Sequence, residues 1–157
     1  MIQEVENQSL LQLREYFERL GDRLHTGPLR WYFEIRLFEI GASDISLAEL
    51  IKFAYPEALP EKAQITAVVF SDFQKTLDYW FTTNRTGQSP VQWLIRGDKF
   101  FAYLLNECCH YTDAAIYEYS TQEGLDPLGA GILGAFAFIF VNSNQGRLLI
   151  LSGGDCD

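Results

Sequence analysis

Hydrophobic and polar residues follow two rhythms along this chain, and the switches between them mark its elements. In "SLLQLREYFERLGDRL" Leu10, Leu13, Phe17, Leu20 and Leu24 recur at steps of three and four, the spacing of one buried stripe on an amphipathic helix. Asn7 or Ser9 can cap its start, and Gly27-Pro28 stops it. The rhythm then drops to two. In "RWYFEIRLFEI" Trp31, Phe33, Ile35 and Leu37 alternate with Tyr32, Glu34 and Arg36, which predicts a strand. "SLAELIKFAY" returns to a helix, with Ser46 and Glu49 placed as a capping box, Leu47, Leu50, Ile51 and Ala54 as its buried stripe, and Pro56 at its end.

The cycle repeats. "QITAVVFS" reads as a strand and "DFQKTLDYWF" as a helix capped by Asp72 that buries Phe73, Leu77 and Trp80. Beyond the turn "NRTGQSP", "VQWLIR" alternates like a strand, and Asp98 can cap "KFFAYLLNECCHY", where Phe101, Leu104, Leu105 and Cys108 share a face. "DAAIYEYS" alternates again, and the loop "TQEGLDPLGAGILG" leads to "AFAFIFVN" and "RLLILS". These last two runs are joined by "SNQG" and predict an antiparallel hairpin. The terminal "GGDCD" is expected to fray.

These elements predict an α+β fold in a single domain over residues 1–157: an N-terminal helix, a mixed or mainly antiparallel sheet with helices packed on it, and a C-terminal β-hairpin or meander. A three-layer α/β arrangement is the alternative, because helices and strands interleave in the middle. No internal repeat, low-complexity tract or domain boundary is visible.

Composition agrees with a self-sufficient core. The chain has 157 residues, 48% of them hydrophobic and 15% aromatic, so neither disulfides nor a structural metal is required. Glu4, Glu6 and Glu15 interrupt the N-terminal stretch where a secretion signal needs a basic start and an apolar run. The most apolar run, Leu128 to Val141, is shorter than the roughly 20 residues that span a bilayer. Three cysteines, two of them adjacent at Cys108 and Cys109, fit reduced thiols, and the expected location is cytoplasmic. Without export, the sequons at Asn7 and Asn84 carry no meaning.

Charge changes the picture most. The formal net charge is −9; residues 1–99 hold 14 acids and 11 bases, whereas residues 100–157 hold 7 acids and the single base Arg147. Such a balance argues against a protein that grips nucleic-acid phosphates or anionic lipid, and it favours basic partners.

Two stretches invite a chemical reading. "NECCHYTD" collects thiols, an imidazole and carboxylates, but adjacent cysteines on a helix point about 100° apart and cannot both grip one zinc ion. Within the helix His110 lies beside Asn106 or Glu107 and not beside a thiol, so a Cys109 nucleophile would need His25 brought in by the fold. The plainer reading is a helix terminus, with His110 near the exposed carbonyls. "GAGILG", Gly129 to Gly134, matches a dinucleotide-binding pattern with Asp155 downstream. Its context does not match, since no strand directly precedes it and a strand follows. No catalytic residue, metal or cofactor is expected.

The expectation is a small acidic, non-enzymatic protein-binding domain, an inhibitor or immunity-type partner of a basic protein such as a nuclease. Asp113, Tyr117, Glu118, Tyr119, Glu123 and Asp126 are its candidate partner-binding residues, the tyrosines supplying contact area beside the acids. The alternative is a small-molecule-binding or enzymatic domain with a pocket between sheet and helices. A homo-oligomer paired through the edge of the terminal hairpin is a third arrangement.

Overall fold

The computed structural model describes residues 2–24, 30–41, 45–82, 95–129 and 135–156. The first helical stripe becomes α1 (Gln8–Leu24). Asn7 caps it: its side-chain oxygen accepts from the Leu10 amide at 2.9 Å. β1 (Gln3–Val5) precedes it, and β2 (Arg30–Glu39) follows. α2 (Leu47–Ala54) starts at Ser46, whose hydroxyl accepts from the Glu49 amide at 3.2 Å. Then come β3 (Gln64–Val68), α3 (Phe70–Thr82), α4 (Lys99–Cys109), β4 (Ala115–Ser120), β5 (Ala135–Asn142) and β6 (Arg147–Cys156).

The six strands form one sheet in the order β1-β2-β6-β5-β4-β3, antiparallel at every junction. Its two faces are covered unequally. On one side Phe17 and Leu20 of α1, Phe73 and Phe81 of α3, and Phe101 and Leu105 of α4 pack on Ile35, Leu37, Phe138, Phe140, Leu149 and Leu151. On the other, Leu50, Ile51 and Ala54 of α2 cover Phe38, Ile139, Leu148 and Ile150. Neighbouring residues of β6 thus feed opposite cores, which is the strand periodicity of two. Burying each of the Leu, Ile and Phe side chains among them is worth about 1.5–3 kcal/mol.

Three expectations about elements need correction, the terminal hairpin offers no edge for pairing because β5 and β6 lie in the middle of the sheet, and one strand is unexpected. Asp72 is not the cap of α3. The Val69 carbonyl already accepts from the amides of Asp72 and Phe73, so the helix begins at Phe70 and Asp72 lies in its first turn. The strand expected in "VQWLIR" has residues 91–94 outside the described set, and its end is not a strand. The Ile95 amide donates to Asp78 at 2.5 Å, and a turn through Gly97 (φ +86°) follows.

"GGDCD" does not fray up to Cys156. β6 pairs Gly153 with Phe33, Gly154 with Tyr32 and Cys156 with Arg30. The glycine is a packing requirement: a Cβ on Gly153 would come within 2.8 Å of Phe136, Phe33 and the Tyr32 carbonyl oxygen. β1, finally, is a strand that no hydrophobic rhythm announces. No described helix is long and apolar enough to cross a membrane.

Candidate protein-interaction surface

"NECCHYTD" is the end of a helix. His110 is the C-cap of α4 in the left-handed conformation (φ 50°), and the carboxamide of the buried Asn142 donates to the Cys109 and His110 carbonyls, each at 3.0 Å. β5 therefore satisfies the backbone groups that a helix end leaves open. Cys108 and Cys109 are free and buried. Burial pushes the Cys108 thiol up to about 12 and raises Cys109 as well, and the Cys109 Sγ lies 3.5 Å from the Leu105 carbonyl. A thiol held neutral in the core is not a nucleophile at ordinary pH. Among the described residues no His, Cys, Asp and Glu side chains converge as a metal site. His25 and residues 130–134 of the glycine loop lie outside the described residues. Gly129 is tightly enclosed, 2.8 Å separating its would-be Cβ from the Glu123 carbonyl oxygen.

The six residues singled out for partner binding do not form one surface. Tyr119 and Asp126 are interior, 2% and 5% exposed. The Tyr119 hydroxyl donates to Asp126, whose carboxylate also accepts from the Leu59 and Leu128 amides at 2.9 Å each. Asp126 therefore ties the loop after β4 to the segment after α2. Tyr117 packs against the same core as Tyr119, while Glu118 sits on the opposite face of β4. Burial, and then the neighbouring Asp72, raises the Glu118 carboxyl above its usual range. Asp113 is exposed in the turn after α4, and Glu123 is half-buried.

Among the described residues a different surface is open, along the outer edge of β2. β2 pairs with β6 over its whole length, from Arg30 to Glu39, but β1 covers its other edge only from Leu37 to Glu39. Among the described residues no strand lies along that edge over residues 31–36. In an antiparallel ladder each residue turns both backbone groups to one side, and neighbours alternate. The Ile40 amide donates to Gly146 at 2.9 Å, so even positions face β6. The backbone groups of Trp31, Phe33 and Ile35 then face the outer edge, and the Arg14 Nε donating to the Ile35 carbonyl at 3.0 Å meets that edge from α1.

A groove of about 560 Å³ follows this edge, with Phe17, Glu18, Gly21 and Asp22 of α1 on one wall and Glu34, Arg36 and Glu4 on the other. Gly21 allows the close approach of α1, because a Cβ there would stand 3.1 Å from the Phe33 ring.

The electrostatics of the groove are one-sided. Arg14 is held by both oxygens of Glu6, at 2.7 and 2.8 Å. Arg36 is held by both oxygens of Glu4, at 2.9 and 2.7 Å, and it also donates to the Ala54 carbonyl and lies over the Phe38 and Tyr55 rings. Its hydrogen bond to Arg36 lowers the Glu4 carboxyl below its usual range. Both cations are thus already neutralised. Glu34 accepts from the Tyr55 hydroxyl, and the exposed Glu18 and Asp22 have no ion-pair partner among the described residues. No charge signal in the linear sequence singled out this stretch. Its acids are scattered over two elements and a terminal strand.

No family model matches the chain, and no curated protein matches it. Among solved structures it resembles two crystal structures of citrus MAF1. One aligns with a TM-score of 0.66 at 14% identity over 96% of this chain and 98% of that one. The other aligns with a TM-score of 0.66 at 12% identity over 91% of this chain and 98% of that one. The likeness spans nearly the whole of both chains and establishes a shared fold.

Proposed function

We propose that this chain is a non-enzymatic protein-binding domain that recognises a basic protein through the acidic groove between α1 and β2. The observation that carries the reading is the state of the charges there. Arg14 and Arg36 are each engaged by a carboxylate on a neighbouring element, which leaves Glu18, Asp22 and Glu34 as the groove's uncompensated charge. An acidic rim beside partly buried aromatic rings, Trp31 and Phe33, suits a basic protein surface that brings both charge and apolar contact. The overall charge of −9 adds long-range attraction of the same sign. An inhibitor of a basic enzyme such as a nuclease is one member of this class.

The test is capture from the host's lysate with tagged wild type and with the Glu18→Lys/Asp22→Lys variant, eluting with rising salt. A basic protein retained by the wild type and absent from the variant supports the reading. The same proteins on both baits would remove it.

A further inference from the structure

The open edge of β2 specifies how a partner would be held, and this inference rests on the acidic-groove reading above. We infer that the groove binds an extended basic segment of a partner protein as an added strand, hydrogen-bonded to β2 in line with β1.

β1 stops at Val5, opposite Leu37, while β2 runs on to Arg30. Among the described residues, the outward backbone groups of Trp31 and Phe33 and the amide of Ile35 are therefore offered at this edge, while the Ile35 carbonyl is taken by Arg14. A strand of about six residues, roughly 20 Å long, fills the distance. Backbone pairing supplies affinity in this mode, and alternate side chains supply selectivity.

The spacing of the acids sets the pattern of the segment. α1 lies along β2 with Arg14 at Ile35 and Gly21 at Phe33 and Trp31, so helix and edge run side by side. Glu18 and Asp22 are one turn apart on the same side of α1, about 5–6 Å. Side chains two apart on a strand are separated by about 6.6 Å, so Lys or Arg at positions i and i+2 of the added strand can meet both acids. The residue between them turns to the other wall, towards Glu34 and the paired Arg36. A second copy of this chain is a poor occupant. Its own β2 edge would bring Glu18, Asp22 and Glu34 against the same three acids.

Panning a random decapeptide library displayed on phage against the full chain tests this. Enriched peptides should carry Lys or Arg at i and i+2, and binding should shift the amide resonances of Trp31, Phe33 and Ile35. It should weaken at least tenfold in Glu18→Lys/Asp22→Lys, and weaken similarly when alternate peptide amides are N-methylated at unchanged charge. Peptides that lose affinity with the charge reversal but ignore N-methylation overturn strand addition while leaving the acidic groove intact. Failure of any peptide to enrich, or enrichment of peptides indifferent to the charge reversal, overturns both. Concentration-dependent self-association that protects the same three amides overturns the inference in favour of a second copy.

Discussion

The Tyr119 hydroxyl donates to the Asp126 carboxylate inside the protein, and the same carboxylate takes the amides of Leu59 and Leu128. One acid thus closes three donors from three segments. Asp126→Ala takes the shared acceptor from the buried Tyr119 hydroxyl, the buried Leu128 amide and the part-buried Leu59 amide and should cost about 2–4 kcal/mol, whereas Tyr119→Phe removes one hydroxyl and should cost about 1–2 kcal/mol. Urea unfolding of both variants measures the ratio. Equal, negligible losses would mean that the two side chains are solvated.

Gly153→Ala should destabilise by about 1–3 kcal/mol, because the new methyl group has backbone as well as two rings in its way. Thermal unfolding and amide exchange of the β2–β6 ladder report on it. An unchanged midpoint would show that the C-terminal end of β6 is loose.

Native Cys108 and Cys109 should resist a thiol reagent at pH 8 in a Cys156→Ser background, reacting orders of magnitude more slowly than a free thiol and only on unfolding. Burial and a raised pKa both act in that direction. Labelling at the free-thiol rate would reopen a reactive role for Cys109.

Glu118 supplies a pH dependence. Its pKa in the folded state is raised from 4.5 by burial and by Asp72, so ionisation is more costly in the folded chain than in the unfolded one. That penalty is absent below the unfolded value and grows as pH rises through the folded one. Glu118→Gln should therefore raise the melting temperature at pH 7, and the gain should shrink towards zero as pH falls below 4.5. A gain independent of pH would assign the effect to packing.

Much of the fold was legible because long stripes leave little choice. Leu10 to Leu20 can be buried together only on a helix, and Trp31 to Leu37 only on a strand. Asp98 behaves as a cap, accepting from Phe100 and Phe101 at 3.0 Å each, because its place just ahead of an apolar stripe is a local signal. The illegible parts depend on partners distant in sequence. Gly153 looks like a chain breaker, yet it stands where Phe33 and Phe136 leave no room for a side chain.

Asp126 looks like one of a run of surface acids, but its role is fixed by Leu59, 67 residues away. The open edge is the extreme case. It exists because β1 is three residues long and β2 is ten, a mismatch that appears only once the two are paired.

The association rate of the captured partner, measured by stopped flow from about 50 to about 500 mM salt, tests the central claim most directly. With the wild type it should fall at least about tenfold across that range, and Glu18→Lys/Asp22→Lys should be slow at low salt and nearly flat. Superimposable rates for the two proteins at every salt concentration would contradict the acidic groove as the site of recognition.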